Sequence, residues 1–132
     1  MTKQKKYSVL VIEDEQALAY AIKTKLEKTG FDAVITRTVE QALSYVEDIG
    51  GFDLIWLDHY LIGQQTGLDF VEKMRDNPKW KGIPIFVISN TASPQKIGSY
   101  RDIGVARFYT KSNVRLDAII ADIKKYLHTH KK

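Results

Sequence analysis

Hydrophobic residues fall in five short runs along the chain, each containing β-branched or aromatic residues and separated from the next by polar segments. Runs of this length and composition are typical of strands buried in a sheet. The pattern predicts strands over residues 7–12, 32–37, 53–58, 83–89 and 105–110.

Between and after these runs, apolar residues recur three or four positions apart, which is the spacing of one buried helix face. Alternating strands and helices build a parallel sheet covered by helices on both faces. The sequence therefore predicts a doubly wound α/β fold. The helix stripes are Leu18, Ile22 and Leu26; Val39, Ala42, Leu43 and Val46; Phe70, Val71 and Met74; and Leu116, Ile119, Ile120, Ile123 and Leu127.

Capping residues, a proline and glycines indicate where several helices begin and end. Thr38 with Gln41 forms a capping-box pattern, and Ser93 before a proline predicts the start of a further helix over residues 94–103. That helix has few apolar residues, so we expect it to be short and exposed. Gly30 and Gly104 stand where helices should end.

Length and charge narrow the class of protein. The 132 residues fit one domain, and 20 basic against 16 acidic residues give a net charge of +4, with the excess mainly in terminal lysines. No zinc-finger or helix-turn-helix pattern is present, so direct nucleic-acid binding is not expected. The chain lacks cysteine and any apolar run near the ~20 residues that span a bilayer, which predicts a cytoplasmic protein with no membrane contact.

Polar residues follow four of the predicted strands: Glu13 and Asp14, Asp58, Ser89, and Lys111. The carboxyl ends of parallel strands meet at one edge of the sheet, so we expect these side chains to lie together. Each has an ordinary alternative as a helix cap or surface residue. Together, however, three carboxylates would repel unless a hard divalent cation or a positive side chain shared the site, and Mg²⁺ suits such oxygens.

Four motifs carry these residues in a fixed order: VLVIEDE, DLIWLD, PIFVIS and FYTKS. In this order they resemble the receiver domains of two-component response regulators, with the chemotaxis receiver as the plainest relative. The resemblance covers essentially the whole chain. It implies a flavodoxin-like strand order 2-1-3-4-5 and a single receiver domain over residues 1–132 with no output domain.

The resemblance also implies a phosphorylation site. Asp58 is similar to the family's phosphoacceptor, which receives a phosphoryl group from a sensor histidine kinase or a phosphotransfer protein. Glu13, Asp14, Asp58 and the backbone carbonyl of Tyr60 correspond to the Mg²⁺ ligands, and Lys111 corresponds to the lysine that pairs with the phosphoryl group.

A switch and a partner surface are implied as well. Ser89 resembles the hydroxyl that moves to the phosphoryl group, and Phe108 stands where an aromatic residue follows that movement. The face of the fourth helix, fifth strand and fifth helix would bind a downstream protein target or form a weak dimer of an otherwise monomeric protein. Its expected residues include Tyr100, Arg101 and Arg107.

Some positions depart from the family pattern. Gly67 lies nine residues past Asp58 instead of eight, and Ser112 stands where a proline in a cis bond is usual. Tyr60 is bulky enough to shield the acyl phosphate from water, which predicts a long-lived phosphorylated form. His59 is interpreted as an exposed residue without a chemical role.

Two other functions remain open at this point. A receiver-like module that binds partners without phosphorylation has the same fold, and so does an enzyme such as an aspartate phosphatase or a flavin protein. The phosphatase usually has a second aspartate where Tyr60 stands, and the acidic residues after the first strand would repel a flavin phosphate. We therefore expect no enzyme activity beyond self-phosphorylation and slow dephosphorylation.

Overall fold

Five strands and five helices alternate along the chain. The computed structural model describes residues 6–59, 66–90 and 93–130. The strands are β1 (Ser8–Ile12), β2 (Asp32–Thr36), β3 (Leu54–Asp58), β4 (Ile85–Ser89) and β5 (Arg107–Thr110). The helices are α1 (Gln16–Lys28), α2 (Val39–Asp48), α3 (Gly67–Asp76), α4 (Pro94–Asp102) and α5 (Leu116–His130).

All five strands pair in parallel in the order β2-β1-β3-β4-β5, which confirms the predicted fold class. Asp58, at the end of β3, lies opposite Ile88 of β4, and Ser89 at the end of β4 lies opposite Thr110. The register therefore brings the polar residues that follow each strand to the same edge of the sheet.

Side-chain alternation along each strand divides the core between the two faces of the sheet. Val9 and Val11 of β1 pack in a cluster with residues of α1 and α5. Leu10 and Ile12 pack in a second cluster with residues of α2, α3 and α4. Because both faces are covered, the strands are apolar on both sides, which explains their continuous hydrophobic runs.

The element boundaries follow local chemistry. The fourth strand begins at Ile85 rather than at residue 83, since Pro84 has no N–H to donate to a neighbouring strand. Thr38 caps α2 by accepting a hydrogen bond from the Gln41 N–H (3.0 Å), but the Gln41 side chain accepts from Arg37 instead of completing the capping box. A complete capping box is present instead at α3, between Thr66 and Asp69, the third residue of that helix.

The helix ends predicted from glycine also agree. Gly30 and Gly104 have positive φ angles of 99° and 90°, which a residue with a side chain rarely adopts. Across the described ranges, none of the helices has both the length and the apolar character that a bilayer crossing requires.

Candidate functional site

Three carboxylates meet at the carboxyl edge of the sheet. One oxygen each from Glu13, Asp14 and Asp58 lies within 4.8 Å of the others. Glu13 and Asp58 are only 1% and 3% exposed, whereas Asp14 is half-buried. The structure thus brings together acids from the loop after β1 and from the end of β3.

Lys111, which follows the edge strand β5, completes this cluster. Its backbone N–H donates to the Ser89 carbonyl over 2.7 Å. Its Nζ atom lies 3.3 Å from Glu13 Oε1 and 3.5 Å from Asp58 Oδ1. The ammonium group therefore contacts both of the buried carboxylates.

Charge in the cluster remains unbalanced. Burial, followed by the negative charge of Asp58, raises the pKa of Glu13 to about 7, although Lys111 and the Glu15 N–H oppose the shift. The Lys111 ammonium thus does not offset the burial of Glu13 and its repulsion by Asp58. All the donors are hard oxygens close enough to share one ion, so Glu13, Asp14 and Asp58 fit Mg²⁺. Tyr60, the fourth predicted ligand, lies outside the described residues, as does its predicted shielding role.

Ser89 stands beside this cluster at the end of β4 and is fully buried. A second lysine approaches it, because Lys96 Nζ donates to Ser89 Oγ at 3.4 Å. Lys96 was not among the site residues predicted from the sequence. The sequence feature that could have indicated this contact is a lysine in the first turn of α4, a helix that begins a few residues after Ser89.

His59, directly after Asp58, was interpreted as an exposed residue, and this is wrong. The side chain is half-buried, and its Nδ1 lies 2.5 Å from the hydroxyl oxygen of Tyr100. The two rings also meet edge to face with centroids 5.5 Å apart. Burial, with the nearby charge of Lys96 as a second cause, lowers the pKa of His59 and favours its neutral form.

The placement of Tyr100 corrects a second expectation. It was assigned to the partner surface but is 1% exposed, because α4 turns it inward against the sheet and the His59 ring. Phe108 of β5 is half-buried, and its ring packs against Tyr100 with centroids 5.8 Å apart. Arg101 and Arg107 do lie exposed on this face.

Gly67 closes the site from the α3 side. Its N–H donates to the His59 carbonyl at 3.1 Å. A Cβ atom at this position would lie 2.7 Å from the Tyr100 hydroxyl and 3.2 Å from the Asp58 carbonyl. The lack of a side chain therefore allows Gly67 to lie against the end of β3.

The Lys111–Ser112 bond was a second departure from the family pattern. No cis peptide bond occurs in the part of the chain that the structure describes, so this bond is trans.

The sequence matches the family described as Response regulator receiver domain over residues 9–124. Because this match covers most of the chain, the protein belongs to that family. The fold and the edge cluster agree with the assignment, which confirms the resemblance found from the four motifs.

A curated relative and two solved structures illustrate the likeness. The KDP operon transcriptional regulatory protein KdpE of Escherichia coli is 30% identical over 79% of this chain and 44% of that protein. The chain spans about half the length of the first curated transcriptional regulators that it matches.

Among solved structures, a CheY-like receiver domain protein from Methanospirillum hungatei aligns with a TM-score of 0.85 at 22% identity, over 95% of this chain and 96% of that one. The cyanobacterial phytochrome response regulator RcpA, described as phosphorylated, aligns with a TM-score of 0.78 at 22% identity, over 93% of this chain and 92% of that one. At these identities the likeness shows the fold.

Proposed function

We propose that this receiver domain is a phosphorylation-switched signalling module of a two-component system, with Asp58 as phosphoacceptor and Mg²⁺ as cofactor. The observation that supports it most is the contact of the Lys111 ammonium with a buried Asp58, at 3.5 Å, beside two further carboxylates. The donor of the phosphoryl group is a sensor histidine kinase or a phosphotransfer protein.

In the proposed reaction, an oxygen of the Asp58 carboxylate attacks the phosphorus of a phosphohistidine. The phosphorus–nitrogen bond breaks, its electron pair returns to the imidazole nitrogen, and that nitrogen takes up a proton. Glu13, Asp14 and Asp58 would hold Mg²⁺, which would supply positive charge to the phosphoryl oxygens, where such transfers gain most of their rate. Lys111 adds a fixed positive charge to the same oxygens.

Phosphorylation adds roughly one and a half to two negative charges and strong acceptor oxygens at the end of β3. Ser89 is the nearby hydroxyl that donates to the new oxygens, and Phe108 adjusts its packing on Tyr100 as β4 and β5 respond. These contacts differ between the two states, so they favour one conformation after phosphorylation. The exposed face of α4, β5 and α5, with Arg101 and Arg107, then binds a downstream protein or a second copy, or the module relays its phosphoryl group.

The test is the intact mass of the protein after incubation with acetyl phosphate and Mg²⁺. The wild type should gain one phosphoryl group, and Asp58→Asn should gain none. Asp53→Asn is the matched control, because Asp53 is equally buried at the other end of β3 and should leave uptake intact. Uptake by Asp58→Asn equal to that of the wild type would refute Asp58 as the acceptor. A wild type that takes up no phosphoryl group would favour the partner-binding module that is never phosphorylated.

A further inference from the structure

We propose that Lys96 is a second phosphoryl-binding cation, which holds the Ser89 hydroxyl as a donor and contacts the phosphoryl group on Asp58. This inference rests on the proposed function of Asp58. It assigns to α4 a direct part in recognising the modified aspartate, in addition to its place on the partner surface.

The start of α4 fixes where Lys96 lies. Ser93 caps the helix by accepting the Lys96 N–H at 3.1 Å, which makes Lys96 the third residue of the first turn. Helical side chains lean toward the amino end of their helix, and the amino end of α4 comes soon after the end of β4. The half-buried Lys96 side chain therefore reaches back to the rim of the sheet, where its Nζ lies 3.4 Å from Ser89 Oγ.

The chemistry of this contact orients the hydroxyl. An ammonium group has donors and no acceptor, so Ser89 Oγ accepts the hydrogen bond from Lys96. On phosphorylation the Ser89 hydroxyl can donate its proton to a phosphoryl oxygen, which is an acceptor. Because Ser89 is fully buried, water does not compete readily for this proton. Lys96 thus prepares the hydroxyl for the role that the phosphorylated state requires.

The charge balance supplies a separate argument. Lys111 already lies 3.3 Å from Glu13 and 3.5 Å from Asp58, so its ammonium is shared between two carboxylates. Phosphorylation adds close to two further negative charges at this place. Lys96 brings a further positive charge from α4, and the three donors of its ammonium group on a flexible stem allow it to contact a phosphoryl oxygen while it still donates to Ser89.

The test measures the affinity of beryllofluoride, a stable analogue of the phosphoryl group, in the presence of Mg²⁺ by isothermal titration calorimetry. Lys96→Met keeps the length of the side chain without its charge, and we expect it to bind beryllofluoride about tenfold more weakly, as for the loss of one charge-assisted hydrogen bond. Lys96→Arg should recover at least half of that loss on the logarithmic scale. The rate of phosphorylation by acetyl phosphate should fall in parallel.

Lys124→Met is the matched control, because it makes the same change in net charge at an exposed position of α5. It should bind beryllofluoride within about twofold of the wild type, since exposed charges at a distance are screened. Urea unfolding of each variant checks that the fold is retained, and Lys96→Arg supplies a second test if Lys96→Met unfolds.

If Lys96→Met bound beryllofluoride as tightly as Lys124→Met, or if Lys96→Arg recovered nothing, the inference would be wrong while the proposed function stood. A wild type that binds no beryllofluoride and takes up no phosphoryl group would refute the proposed function itself. The two failures are therefore distinct.

Discussion

Two buried aspartates flank the same strand, and their surroundings are opposite in kind. Asp53 directly precedes β3 and is 4% exposed, whereas Asp58 ends β3 and is 3% exposed. At the amino edge of the sheet, a carboxylate oxygen of Asp53 accepts the Ser8 N–H at 2.9 Å, and the Asp53 N–H donates to the Ser8 carbonyl at 2.8 Å. At the carboxyl edge, Asp58 lies among Glu13, Asp14 and the Lys111 ammonium.

Burial alone therefore does not identify a reactive carboxylate. Asp53 joins two strands through their main chain, which is a structural use of a buried acid. Asp58 is instead grouped with other charged side chains, an arrangement that costs stability unless another charge is bound there. Two residues of one type and similar burial thus serve the fold and the site separately.

The largest expected difference between the two ends concerns stability. Asp53→Ala leaves the Ser8 N–H without this acceptor, so it should lower the free energy of unfolding by about 2–3 kcal/mol. Asp58→Ala should lower it by less than about 1 kcal/mol, because losing repulsion with Glu13 offsets the lost contacts. Urea unfolding of both variants without Mg²⁺ measures the difference, and equal losses would show that the two aspartates share a structural role.

The next effect is the pH dependence of the carboxyl edge. Burial and Asp58 raise the pKa of Glu13 from 4.5 to about 7. The folded state therefore binds this proton more tightly than the unfolded state does. The stability that Glu13 contributes is complete below its unfolded pKa and is lost as pH rises through about 7.

Without Mg²⁺, we expect the free energy of unfolding to fall by on the order of 2 kcal/mol from about pH 5 to about pH 8 on account of Glu13. The measurement is a series of urea unfolding curves for the wild type and Glu13→Gln, with the Glu13 contribution taken as the difference between their slopes. Identical slopes would contradict the raised pKa. Saturating Mg²⁺ should reduce the wild-type slope, since a bound cation favours the ionised acids.

The smallest of the three effects concerns the glycine that lies against the Asp58 end of β3. A Cβ on Gly67 would meet the Tyr100 hydroxyl at 2.7 Å and the backbone of Asp58 and His59 at 3.2 Å. Gly67→Ala should therefore lower the free energy of unfolding by about 1–2 kcal/mol and slow phosphoryl uptake, because the backbone must shift at the acceptor.

Gly82→Ala is the control for this change. A Cβ at that position meets no atom within 4 Å, and its φ is not in the left-handed region, so the substitution should leave stability and uptake near those of the wild type. Urea unfolding and the intact-mass assay measure both quantities. A Gly67→Ala protein that matched Gly82→Ala would show that the close approach at Asp58 is readily relieved.

Much of the carboxyl edge was predictable from the sequence because it depends on local patterns. Each apolar run defines a strand, and the residue after its end must lie at one edge of a parallel sheet. Glu13, Asp14, Asp58, Ser89 and Lys111 could be grouped by this rule alone. The same rule did not separate Asp53 from Asp58 by environment, since the partner of Asp53 is a main-chain N–H 45 residues away in sequence.

The contacts that α4 makes at the site could not be predicted from the sequence. The apolar content of α4 is low, so its periodicity did not indicate which face turns inward, and the family resemblance placed Tyr100 on the partner surface. Its hydrogen bond joins residues 41 apart in the chain, and no local pattern encodes such a pair. The packing of α4 against the sheet likewise brings Lys96 to Ser89, a contact between side chains that no local pattern predicts.

Hydrophobic period and chain order dictate the five strands, the helices around them, and the acids and lysine that gather at one edge, so the amino-acid sequence is enough to predict these features. Three contacts are visible only once the chain is folded: Tyr100 turns inward to His59, Gly67 lies against Asp58, and Lys96 contacts Ser89. Those contacts depend on the rotation and position of α3 and α4 over the sheet, which arise from packing among residues far apart in the chain.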